Sequence, residues 1–95
     1  MTALPVLRIE ISPPNCSGLH VIRWIEERDW GPNSLLITTC QPDALPKAEA
    51  DFDLFGQVPA ERRGDAAHAV RHSSQPVEVV LQRFLPAVVA QQSLF

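Results

Sequence analysis

Two cysteines, three histidines and a pair of close aspartates are the residues of this chain whose chemistry could reach beyond packing. Cys16 lies in the segment Ser12-Pro13-Pro14-Asn15-Cys16-Ser17-Gly18, between two apolar stretches. A thiol placed there, with a helix N-terminus behind it, would have its pKa lowered and could hold a phosphoryl group against backbone amides. Cys16, Cys40, His20, His68 and His72 are also ligand types for zinc. They form no Cys-x-x-Cys and no histidine pair beside a cysteine pair, so no metal and no cofactor is assigned. His68 and His72 are spaced to share one face of a helix or one face of a strand. Asp51 and Asp53 flank Phe52 and would point the same way from a strand, as paired carboxylates do in acid–base work. Charges beside a short strand that discourage aggregation are the simpler account. The chain has no nucleophile elbow and no glycine-rich phosphate loop, so an enzyme is not expected.

A cysteine-dependent phosphatase loop needs an arginine after five intervening residues, and Arg23 falls one position beyond. That reading is set aside. The pattern that points to a partner is the last five residues: Gln91, Gln92, Ser93, Leu94 and Phe95. The Gln91 amide offers donors and an acceptor to a pocket rim. Leu94 and Phe95 offer large apolar area to a groove.

The elements that would position these residues can be drawn from periodicity. Val6–Ile11 alternates apolar and charged residues and predicts a half-buried strand. Residues 18–30 carry Leu19, Ile22 and Ile25 at helical spacing, capped by Asn15 or Ser17, and predict a helix that Gly31 and Pro32 stop. Residues 35–40 predict a buried strand, parallel to the first through a right-handed crossover. Residues 41–49 predict a loop, 52–55 a short third strand, 59–67 a short helix opened by Pro59, and 68–72 a fourth strand. A final helix runs from Val77 to about Ala90 on an apolar face of Val77, Val80, Leu81, Phe84, Leu85, Val88 and Val89. Pro86 inside it should kink it or end it early. The predicted architecture is one α/β domain, residues 1–90, with a four-stranded, mostly parallel sheet and helices on both faces; residues 91–95 are an interaction tail. Leu7, Ile9, Ile22, Ile25, Leu36, Leu54, Val80, Leu81 and Phe84 form its expected core. In that sheet Cys16 and Cys40 would both lie just past strand ends on one edge.

Composition bounds the rest. Ninety-five residues hold one core and not two. The net charge is −3 with a single lysine, so direct binding to nucleic-acid phosphates is not expected. No apolar run reaches bilayer length and no signal peptide opens the chain, so a cytoplasmic location is expected, without membrane contact. An apolar surface could also support a homodimer.

The tail resembles the pentapeptide, Gln-Leu-Ser/Asp-Leu-Phe in consensus, by which bacterial polymerases and repair proteins hook onto the replication sliding clamp. Gln91, Ser93, Leu94 and Phe95 match it, and Gln92 stands where leucine is usual. The run from Phe84 to Phe95 is similar to the end of UmuC-type Y-family bypass polymerases. The resemblance implies a non-enzymatic adaptor or inhibitor, from a bacterium or a phage, with the clamp as protein partner. Asp53-Leu54-Phe55 fits the last three positions of the same peptide but lacks the glutamine, and reads as core. Ser93-Leu94-Phe95 also suits a PDZ-type groove or a protease that reads apolar C-termini; only the clamp reading needs Gln91. The body loosely resembles the IIB domains of sugar phosphotransferase systems, in its element order and in residues 36–40 and 50–54. That resemblance implies a phosphocysteine at Cys16, although the family's cysteine follows its strand directly and Cys16 follows two prolines and an asparagine.

Overall fold

Asn15 and Gly31 mark the two reversals that shape the first half of the chain. The computed structural model describes residues 5–87. Strands β1 (Val6–Ile11), β2 (His20–Arg28) and β3 (Gly31–Cys40) pair in sequence order, each antiparallel to the next. Between β1 and β2 the Asn15 side-chain oxygen accepts from the Ser17 and Leu19 amides at 2.9 and 3.1 Å, and the Gly18 amide donates to the Asn15 carbonyl at 2.8 Å. Gly18 then takes φ +77°, a conformation glycine adopts at no steric cost. Between β2 and β3 neither Asp29 nor Trp30 has positive φ, and Gly31 completes the reversal at φ +117°.

The second half is helical. A 3₁₀ turn (Pro42–Ala44) leads into α1 (Leu45–Phe55), a second 3₁₀ turn (Ala60–Arg62) leads into α2 (Arg63–Arg71), and α3 (Val77–Gln82) follows. Pro42 and Pro46 stand in the first turns of their helices, where the missing N–H costs nothing. In α1, Leu45, Ala48, Phe52 and Phe55 repeat at helical spacing and pack toward the core.

The helices cover the face of the sheet that carries Ile22, Trp24 and Leu36. These residues join Leu35, Phe55, Val58, Ala66, Ala67, Leu81 and Leu85 in one buried cluster. The Trp24 and Phe55 rings stack with centroids 4.4 Å apart, and Phe52 meets the indole at 6.2 Å. Opposite Trp24 stands Leu36, and opposite Ile25 stands Ser34, so Leu35 is the extra residue of a bulge. The bulge turns Leu35 into the core and leaves its carbonyl to the Arg71 guanidinium at 2.7 Å.

The predicted α/β architecture is thereby corrected. Across the described residues the domain is α+β, a three-stranded all-antiparallel meander followed by α1, α2 and α3. The segment 18–30, expected as a helix, forms β2 instead, because Ile22, Trp24 and Glu26 alternate inward while Val21, Arg23 and Ile25 point to the other face. Residues 52–55 and 68–72, expected as strands, instead close α1 and form the end of α2 with its C-cap His72. The first strand stands at Val6–Ile11 as expected. Helix α3 begins at Val77, where the final helix was expected to begin, and ends at Gln82, ahead of Pro86; Val88 and Val89 lie outside the described residues. Of the expected core, Ile22, Ile25, Leu36, Val80 and Leu81 are buried, and Leu7, Ile9, Leu54 and Phe84 are partly buried against the cluster.

Truncating Ile22 or Leu81 to alanine should cost about 2–5 kcal/mol of unfolding free energy, the range for a large aliphatic side chain removed from a close-packed core. Their exposures are 1% and 0%. Equilibrium denaturation checks this, and wild-type stability in both variants would contradict the assigned core.

Candidate functional site

The chemistry-bearing residues do not converge. Cys16 is an exposed free thiol in the β1–β2 turn. The turn leads into β2, so a strand stands where the phosphocysteine reading required a helix N-terminus. Cys40 is a half-buried free thiol at the end of β3, directly opposite His20 across the ladder. The His20 ring is held by the Ser12 carbonyl at 2.7 Å. Asp51 and Asp53 lie on α1 two positions apart, so they diverge. Asp51 pairs with Lys47 at 3.2 Å, and Lys47 also reaches Glu78 of α3 at 3.0 Å. The backbone amide at Glu78 and the Lys47 ammonium hold the Glu78 carboxyl below its usual range, and Glu78 and Asp51 raise Lys47. The first is a contact within α1 and the second a link from α1 to α3, and neither is an acid–base pair. Among the described residues no group of three or more His, Cys, Asp or Glu side chains could hold a metal ion. Gln91, Ser93, Leu94 and Phe95 lie outside the described residues.

The surface that stands out is the side of the sheet turned away from the helices, together with the outer edge of β3. Val6, Arg8, Glu10, Val21, Arg23, Ile25, Ile37 and Thr39 share that face by register. Arg8 pairs there with Glu10 and with Glu27, which raises the guanidinium pKa and lowers that of Glu10. Val6 and Ile37 are 59% and 56% exposed, and Trp30 at the β2–β3 reversal is 80% exposed with the Arg28 guanidinium 5.8 Å from its ring centre. A helical reading of residues 18–30 conceals this face, because it hides the two-residue alternation that lines these side chains up.

The two edges of the sheet differ. β1 is short and carries Arg8 and Glu10. β3 is ten residues long and carries no charge. Its first half has Pro32, the bulge at Leu35 and the Arg71 cap, all devices that discourage pairing. Its second half, Leu36 to Cys40, has none of them. Among the described residues no strand pairs with that edge. A groove of about 260 Å³ runs beside it, lined by Leu36, Ile37, Thr38, Val70, Arg71 and Val77 among others.

Beneath the sheet lies one buried ionic cluster. Glu26, on the central strand, is 2% exposed. Its carboxylate accepts from Arg28 Nη2 at 2.7 Å and from Arg63 Nη1 at 3.3 Å. Arg63 also donates to the Val58 carbonyl. Two guanidinium groups offset the desolvation of one carboxylate, and they hold β2 to the start of α2.

Comparison with protein-family models, with curated proteins and with solved structures finds no match to this chain. The class of the protein is therefore carried by its fold alone: a small α+β domain, a β-meander closed on one side by three helices.

Replacing Arg63 with methionine should destabilise the fold toward the lower end of roughly 3–5 kcal/mol, the usual cost of stripping one partner from a buried ion pair, because Arg28 remains on Glu26. Urea unfolding of the two proteins side by side measures it; an unchanged midpoint would mean that the cluster does not join strand to helix.

Proposed function

We propose that this chain is a non-enzymatic protein-interaction module, an adaptor or inhibitor, that docks on the replication sliding clamp through residues 91–95. The observation that carries the reading is the match of Gln91, Ser93, Leu94 and Phe95 to the clamp-binding pentapeptide. Two facts support it. Helix α3 stops at Gln82, and Pro86 follows it, so the chain leaves that helix before residues 91–95. The net charge of −3 suits a protein that meets DNA through a ring-shaped partner rather than through phosphate contacts. A cytoplasmic location belongs to the same reading; no helix among the described residues is long and apolar enough to cross a membrane.

The test is calorimetric titration of the chain into sliding clamp. Removing residues 91–95, or replacing Leu94 and Phe95 with alanine, should weaken binding at least about tenfold, as loss of a hot spot does. Gln91→Ala should cost less, about 1–2 kcal/mol, the worth of a buried hydrogen-bonding group. Absence of binding at roughly tens of micromolar, which corresponds to about −6 kcal/mol, would end the clamp reading, as would equal binding by the truncated chain.

A second reading, a scaffold that pairs with its own copy, is favoured by the second half of β3. A neutral, β-branched edge strand pairs with itself without like-charge repulsion, and Ile37 would be covered in the joined sheet. Sedimentation should then show a concentration-dependent dimer that Ile37→Lys converts to monomer. A wild-type chain that stays monomeric at roughly a hundred micromolar, weaker than about −5.5 kcal/mol of association, excludes it.

A further inference from the structure

We propose that His68 and His72 form a bidentate chelate for a first-row transition-metal ion that prefers right-angled nitrogen ligands, nickel(II) or copper(II). The two residues stand one turn apart at the end of α2, with the His72 amide donating to the His68 carbonyl at 3.1 Å. Both are exposed, and their rings already lie together, with centroids 4.3 Å apart and planes inclined at 50°. Among the described residues neither imidazole makes a hydrogen bond to another group, so no protein partner has to be given up on binding.

The separation is the argument that one ion can span both rings. A metal–nitrogen bond of about 2.1 Å puts the ion about 3.2 Å from the ring centre, so two imidazoles in adjacent right-angled positions have centroids about 4.5 Å apart. A tetrahedral ion would need about 5.2 Å by the same construction. The observed 4.3 Å lies within side-chain rotations of either value, so one ion can span the pair, and copper(II) and nickel(II) are favoured by their affinity for imidazole nitrogen and by their acceptance of right-angled positions. The helix supplies preorganisation: the backbone that sets the two side chains in register is in place before the ion arrives. The other coordination positions are left to water or to donors from a second molecule, since no third ligand among the described residues completes the set.

The experiment uses the tag-free chain and nickel(II) chloride as the probe, with binding followed by calorimetry and by the shift of the thermal midpoint. The wild type should bind one nickel per chain and melt at higher temperature in its presence, since an ion that binds only the folded chain stabilises it. His68→Ala and His72→Ala should each lose both effects, whereas His20→Ala should keep them. A chain carrying His72→Ala together with Ser73→His keeps three imidazoles but breaks the one-turn spacing, and it should behave as the single variants do. The site is overturned if the wild type binds no nickel, if the one-turn variants bind as well as the wild type, or if the respaced variant binds undiminished.

Discussion

The stack of Trp24 on Phe55 is the contact that makes one domain out of a sheet and a set of helices. A three-stranded meander has two faces and no natural way to bury either. Trp24 sits at the middle of the central strand, and its ring is the largest apolar surface on the inward face. Phe55 closes over it from the last turn of α1, with Phe52 at the edge of the indole. Such aromatic pairs contribute about 0.5–1.5 kcal/mol beyond the area that they bury. The arrangement has a cost. The indole N–H is buried without a hydrogen-bond partner among the described residues. An unpaired buried donor costs about 1–3 kcal/mol, less than the area term for a tryptophan of this burial. Ring packing has therefore won over hydrogen-bond satisfaction at the centre of the core.

Arginines around α2 extend that contact to the other elements. Arg62, just ahead of the helix, donates to the carbonyls of Arg83 and Phe84 at 3.1 and 3.0 Å, just past the end of α3. Arg63 reaches the buried carboxylate of Glu26 on β2. Arg71 caps the bulged carbonyl of Leu35 on β3. Ala66 and Ala67, both buried, let the helix approach closely enough for these reaches. The same guanidinium chemistry thus serves three unlike acceptors: a helix end, a buried anion and a strand irregularity.

How much of this was legible in the sequence depended on which of two meanings a residue carried. Val6–Ile11 was legible because charge alternated with apolar side chains, and only a strand uses that period. Asn15 was misleading, because a side-chain oxygen that caps a helix also closes a turn; here it bonds the Ser17 and Leu19 amides and launches a strand. In β2 the spacing of Leu19, Ile22 and Ile25 imitates a helix. The β-branched and aromatic content of Val21, Ile22, Trp24 and Ile25 was the better guide, since such side chains lose freedom in a helix. Pro42 and Pro46 suggested a loop but open helices, and Phe52 to Phe55 is too short a window to separate the two periods. Glu26 could not be read as buried, because nothing local announces that Arg63 will arrive from a helix so far along the chain. The outward face of the sheet was hidden by the same period error, and the spacing of His68 and His72, noted in the sequence, was set on an expected strand, so their one-turn geometry came only with α2.

The order of the elements along the chain has a consequence for how the protein is made. A nascent chain delivers all three strands, joined by tight reversals, before any helix exists. The meander's pairings are between neighbours in sequence and can form early. Yet Phe55, the ring that covers Trp24, is synthesised only after β3 is complete, and Leu81 later still. The strands also leave the exit tunnel first, and until Phe55 follows them out the inward face of the sheet is bare, with Ile22, Trp24 and Leu36 open to whatever else is present. The neutral edge of β3 is available at the same time. A slow stretch of translation that leaves β3 outside the tunnel and Phe55 still inside it would lengthen that exposure.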